Sequence, residues 1–235
     1  MNTVIPMWEA PTVPVDGTDA RFPVRHVFCV GRNYAEHAKE MGGDATKEPP
    51  FFFTKAADAV IAVPPGTTGR MRYPPATSSL HHEVEMVVAI GKAGARIAAE
   101  HALDHVYGYA VGIDMTRRDL QNVAKETRRP WDVAKSFAQA APIGAIVPAS
   151  RGGHRKRGAI ALDVNGARRQ TGDLGDMIWD TAHMIAFLSR MYELLPGDLI
   201  YTGTPSGVGA VVAGDRLEAS VDGLPPLALE IVAAS

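Results

Sequence analysis

A β-rich α+β domain is the fold class predicted by these 235 residues. Three observations carry the prediction. Short apolar, β-branched runs such as HVFCV (26–30), EVEMVVAIG (83–91) and HVYGYAVGIDM (105–115) are bounded by glycine and charged residues, as buried strands are. Only three or four stretches have helical character. Strands and helices do not alternate regularly enough for a doubly wound sheet or an eight-stranded α/β barrel.

The elements follow in chain order. Residues 1–22, with Pro6, Pro11, Pro14 and Gly17, are expected to form an extended arm or edge strand, because proline lacks a backbone donor. HVFCV ends at Gly31 as a strand. NYAEHAKEM (33–41) is expected to be a helix, with Asn33 as a possible cap and Gly42-Gly43 as its stop. FFFTKAADAVI (51–61) reads as strand plus turn. Pro64-Pro65-Gly66 and Pro74-Pro75 bound an expected loop. After the strands at 83–91 and 105–115, TRRDLQNVAKET (116–127) reads as a helix and SRGGHRKRG (150–158) as a solvated basic loop. AIALDVNGARRQTGD (159–173) has the pattern of a hairpin around Asn165-Gly166. MIWDTAHMIAFLSRMY (177–192) reads as an amphipathic helix, and the tail alternates short strands with turns.

Composition narrows the function classes. The chain is 46% hydrophobic and 21% charged, as ordinary globular proteins are. Lys+Arg is 24 and Asp+Glu is 26, a net charge of −2, which gives no electrostatic case for nucleic acid or an anionic membrane. Cys29 is the one cysteine, so an intrachain disulfide and a cysteine zinc site are excluded. No window approaches ~20 consecutive apolar residues, and the N-terminus lacks the signal-peptide pattern. The expected location is the cytoplasm.

Glu83 and Glu85 are the sharpest chemical feature. Residues i and i+2 of a strand share a face. Two carboxylates at the mouth of an apolar strand repel each other and lose hydration, and a divalent cation such as Mg, Mn or Ca relieves both penalties. The competing reading is an exposed pair at a strand edge. Asp114 offers a third carboxylate, or a cap for the following helix. His81 shares the face of the two glutamates, so an iron site of histidine and carboxylates is conceivable, although adjacent His82 points the other way. His37 and Glu40 are neighbours at i, i+3, either a base with its orienting carboxylate or a surface ion pair. Lys135, among apolar neighbours in WDVAKSF, faces an anion if buried and solvent if not. GTPSGVG (203–209) fits neither a P-loop nor a nucleophile elbow, but its backbone amides could hold a carboxylate. Cys29 reads as inert core, and Trp131 and Trp179 as packing.

GRNYAEHAKEM, LHHEVEMVVAIGK, GIDMTRRDLQ, PWDVAKSF and YTGTPSGVG occur in this order across about residues 25 to 231. In this the chain resembles the fumarylacetoacetate hydrolase family. The resemblance implies a mixed β-roll with a few flanking helices, and a single catalytic domain over 23–235. It implies Glu83, Glu85 and Asp114 as ligands of Mg2+ or Mn2+. It implies His37 and Glu40 as a water-activating dyad on a lid, and Lys135 as the residue that steadies an oxyanion. Arg118, Gln121, Arg32 and Thr204 look like substrate-side residues. The implied substrate is a small 2,4-dioxo acid, and the implied assembly is a homodimer. RFPVRHVFCVGRNYAEHA, EPPFFF and GDLGDMIW resemble the family's short bacterial members. Those split 3-fumarylpyruvate into fumarate and pyruvate during gentisate breakdown. Acylpyruvate hydrolysis, oxaloacetate decarboxylation and dienedioate isomerisation remain open on the same scaffold, since fold does not fix the reaction. An iron-dependent oxygenase using His81 is a more distant reading.

Overall fold

Strand pairing, not helix packing, organises the molecule. A computed structural model describes residues 3–35 and 49–234. Its main sheet has eight strands. Seven run in the order Phe51–Lys55, Val27–Gly31, Leu199–Tyr201, Val84–Ile90, Val106–Ile113, Ala141–Ile143 and Val60–Ala62, and Val147–Pro148 also pairs with Val106–Ile113. The sheet is mixed: Val27–Gly31 runs parallel to Leu199–Tyr201, and Ala141–Ile143 runs parallel to Val60–Ala62. A five-stranded sheet, ordered Ala167–Asp173, Ala159–Val164, Arg216–Val221, Leu227–Val232 and Thr68–Arg72, packs against it. The expected β-rich α+β class is what the chain adopts, with short helices at Arg118–Glu126, Asp132–Lys135, Ala149–Gly152 and Thr181–Leu188.

The core lies between the two large sheets. Val84–Ile90 is buried at every position, which is why it reads as a continuous apolar run after the acids. Arg216–Val221 alternates exposed and buried, so one face is wet and Leu217, Ala219 and Val221 join the core. The 159–173 hairpin turns at Asn165 and Gly166, with φ of 52° and 76°. Both angles are positive, as a type I′ turn requires. In the N-terminal stretch, Thr12–Pro14 pairs with Arg21–Pro23, and Val13 and Val15 enter the core. Val4, Ile5, Met7 and Trp8 are exposed.

Two expectations are corrected. The segment between the two proline pairs is not all loop: Thr68–Arg72 is a strand parallel to Leu227–Val232. Its local pattern is weak, since TGRMR buries only Met71 fully. The helix expected over 177–192 is confined to Thr181–Leu188, where Asp180 accepts from the His183 N–H. It is covered rather than amphipathic, with Thr181, Met184, Ile185, Ala186 and Leu188 buried. The helix expected over 33–41, with its stop at Gly42-Gly43, lies outside the described residues from residue 36 onward; Asn33 itself is bonded to distant parts of the fold. Its Nδ2 donates to Trp179 O (2.9 Å) and Thr202 O (2.8 Å), and its Oδ1 accepts from Trp179 N (2.8 Å). Trp179, bonded to Asn33 through both its N–H and its C=O, precedes the helix cap Asp180. His37 and Glu40 lie outside the described residues. Among those residues no helix is long and apolar enough to cross a membrane.

Candidate active site

Strand register assembles the acidic cluster. Val84 faces Ile113 and Glu85 faces Gly112 in the antiparallel pair. Continuing that register sets Glu83 opposite Asp114, and the Asp114 N–H donates to Glu83 O at 2.8 Å. Residues directly opposite share a face, so all three carboxylates point to one side. Carboxylate oxygens of Glu83, Glu85 and Asp114 lie within 4.8 Å of one another, and all three residues are buried.

Three cations surround the cluster. Lys135 closes the short helix Asp132–Lys135. Its Nζ donates to Glu83 Oε2 (2.8 Å), Asp114 Oδ2 (2.7 Å) and Thr116 Oγ1 (2.7 Å). An ammonium has three protons, so all of them are engaged. Burial pulls its pKa down, but the Asp114 and Glu83 carboxylates outweigh that and hold it above its ordinary value. Lys55 Nζ stands 2.7 Å from Asp114 Oδ1 and donates to Met115 O and to Lys135 O. Arg118 donates to Glu83 and to Gln121.

Glu85 differs from its two neighbours. Among the described residues it has no ion pair, and the Gly203 N–H donates to its Oε2 at 2.7 Å. Gly203 has φ +94°, and an added Cβ would lie 2.7 Å from Asn33 Cβ, so the turn that carries this amide requires glycine. Burial, then Asp114, then Glu83 raise the Glu85 pKa well above the carboxylate range. A 1%-exposed carboxylate beside two others, with no cation of its own, fits an oxygen-coordinated divalent ion.

The cluster floors a cleft. Val30, Gly31, Arg32, Phe53, Arg118, Gln121, Lys125, Trp131, Lys135 and Thr204 line it together with Glu83 and Glu85. Thus Arg32, Arg118, Gln121 and Thr204 are all at the cleft. Arg32 holds φ +58°, a left-handed conformation uncommon for a residue with a side chain. Trp131 does more than pack: half-buried and edge-on to Phe51 at 5.0 Å, it forms one wall.

Contacts bear on the alternative readings of Asp114, His81 and Cys29. Asp114 does not cap the helix at Arg118; its cap residue is Arg117, with no side-chain cap bond. His81 is not in the carboxylate cluster. It lies in Leu80–His82, part of a separate three-stranded sheet, and its Nε2 pairs with Ser79 Oγ at 3.1 Å. Burial and the Arg118 charge lower its pKa to about 4. Cys29 is fully buried, and burial raises its thiol pKa well above the ordinary value.

Sequence reasoning missed Lys55 and Gln170. Lys55 carries a signal, a lysine closing an apolar strand. Gln170 carries none, since RRQTGD reads as an exposed hairpin arm. Yet Gln170 is 0% exposed. Its Oε1 accepts from Val84 N (3.0 Å) and pairs with His82 Nδ1 (2.9 Å), and its Nε2 donates to Thr204 Oγ1 (2.8 Å) and Pro205 O (2.9 Å). It joins the start of the Glu85 strand to the Thr204 turn. Gln170→Leu strands those buried groups, and a loss of at least about 3 kcal/mol is expected in urea denaturation. A change below about 1 kcal/mol would remove Gln170 from this structural role.

Residues 26–232 match the family described as Fumarylacetoacetate (FAA) hydrolase C-terminal. Fumarylpyruvate hydrolase of Ralstonia sp is 47% identical over 188 residues, covering 80% of this chain and 95% of that protein. A mitochondrial oxaloacetate tautomerase of Rattus norvegicus is 40% identical over 207 residues, covering 88% and 91%. The crystal structure of fumarylpyruvate hydrolase from Pseudomonas aeruginosa, in complex with Mn2+ and pyruvate, superposes with a TM-score of 0.97. It is 50% identical and covers 99% of this chain and 100% of that chain. The chain belongs to the fumarylacetoacetate hydrolase family.

Proposed function

We propose that this enzyme hydrolyses 3-fumarylpyruvate to fumarate and pyruvate, with a divalent cation held by Glu83, Glu85 and Asp114. The observation that carries the reading is the buried three-carboxylate cluster at the floor of a cleft rimmed by Arg118, Gln121, Lys125 and Arg32. The likeness to a fumarylpyruvate hydrolase with Mn2+ and pyruvate supports the choice of substrate and metal. When bound, the ion supplies Lewis acidity to the 2-oxo acid end of the substrate. Gly203 and Lys135 hold the carboxylates that would ligate it. His37, supported by Glu40, takes a proton from water. The hydroxide attacks the far ketone, and the bond between that carbon and the methylene breaks. The three-carbon fragment leaves with the electron pair and is protonated to pyruvate. Since all three Lys135 protons are engaged, its charge acts on the carboxylates first, and it must release one acceptor to reach a substrate oxygen.

The 40% identity to an oxaloacetate tautomerase favours a second reading, proton transfer within oxaloacetate at the same centre. A substrate panel separates the two. Loss of the enol absorbance of 3-fumarylpyruvate, with fumarate and pyruvate in equal amounts, is expected. Activity on oxaloacetate without hydrolysis of 3-fumarylpyruvate would replace the first reading with the second.

A further inference from the structure

The helix Arg118–Glu126 presents a graded row of cleft residues. Arg118, Gln121 and Lys125 stand at i, i+3 and i+7, which is one face of a helix. Arg118 and Gln121 are buried at the acidic cluster and bonded to each other, and Arg118 also bonds Glu83. Lys125 is half-buried, about two turns further along, or about 10 Å of helix rise. Its Nζ sits 5.4 Å from the centre of the Trp131 ring, on the cleft wall. Among the described residues it has no carboxylate partner. Burial, and then the charges of Arg118 and Arg32, bring its pKa down to about 8. A half-buried cation on the wall of a cleft, beside an aromatic ring, is placed to pair with an anionic group that enters the cleft.

The reacting end of a dioxo acid belongs at the carboxylate floor. An acyl group carrying a second carboxylate projects that charge several ångströms outward, along the wall of Phe53 and Trp131. We infer that Lys125 binds the distal carboxylate of the acyl group, making the enzyme selective for acylpyruvates whose acyl chain ends in a carboxylate. The inference rests on the proposed hydrolase reading. Arg118 and Lys135 are already bonded to the acidic cluster, so they do not compete for this charge.

The test compares wild type, Lys125→Met and Lys125→Arg on 3-fumarylpyruvate and on acetylpyruvate, which lacks the distal carboxylate. Lys125→Met is expected to lower kcat/KM on 3-fumarylpyruvate by at least about 10-fold, mostly through KM, the scale of one lost charge-assisted hydrogen bond. Acetylpyruvate turnover should stay within about two-fold, and Lys125→Arg should restore most of the loss. An equal fall on both substrates, or no fall on either, would overturn the inference. Calorimetric binding of fumarate to the same proteins reads the contact without turnover. Affinity at least about 10-fold weaker in Lys125→Met supports it, and unchanged affinity overturns it. Wild type that hydrolyses neither acylpyruvate would sink the hydrolase reading, while the fumarate measurement still decides the role of Lys125.

Discussion

Glu85→Ala is expected to abolish metal binding and to lower turnover by at least about 10³-fold. Of the three carboxylates, Glu85 gives the cleanest test. Glu83 anchors both Lys135 and Arg118, and Asp114 anchors both Lys55 and Lys135. Removing either leaves buried cations without a partner, so lost activity would be confounded with damage to the fold. Glu85 accepts one hydrogen bond, from the Gly203 N–H, and has no ion pair among the described residues. Its carboxylate is also the one whose charged form the buried site disfavours. The metal-free variant should therefore melt within a few degrees of metal-free wild type, while losing Mn2+ binding and hydrolysis together. Retained hydrolysis would show that the carboxylate does not serve the reaction through a cation.

His37→Ala is the second large effect, and it separates chemistry from metal binding. On the proposed mechanism His37 takes a proton from water, a contribution worth about 10²–10⁴ in rate. In that mechanism it is not a metal ligand. The variant should bind Mn2+ with wild-type affinity and fail to hydrolyse 3-fumarylpyruvate. Glu40→Gln should share the defect in weaker form, because an orienting carboxylate raises the basicity of the histidine. Wild-type turnover in His37→Ala would remove the dyad from the mechanism.

Much of the fold can be read from local pattern. The strands at 26–30, 83–91 and 105–115 announce themselves because they are buried on both faces, and the 159–173 hairpin does so through Asn165-Gly166. Thr68–Arg72 stays hidden because only Met71 of its side chains is fully buried, while its backbone pairs with Leu227–Val232, more than 150 residues away. At the front of the 177–192 stretch, too, a distant side chain takes part: Asn33 bonds both backbone groups of Trp179, and the helix begins only at Thr181.

The candidate site divides in the same way. Glu83 and Glu85 are legible as a pair because a strand's period is two. That Asp114 joins them follows from the register of Val84 with Ile113, which no local pattern contains. The Gly203 turn does hold a carboxylate, as its free amides suggest, and the carboxylate is the chain's own Glu85. Lys55 and Gln170 escape notice because their partners, Asp114, His82 and Thr204, come from other parts of the chain.

The central claim is that Glu83, Glu85 and Asp114 together hold one divalent cation. Titration of metal-free protein with Mn2+, read by the electron paramagnetic resonance signal of the free ion, tests it most directly. The account predicts one ion per chain in wild type and in His37→Ala, and no comparable binding in Glu85→Ala. Binding in Glu85→Ala as tight as in wild type would contradict it.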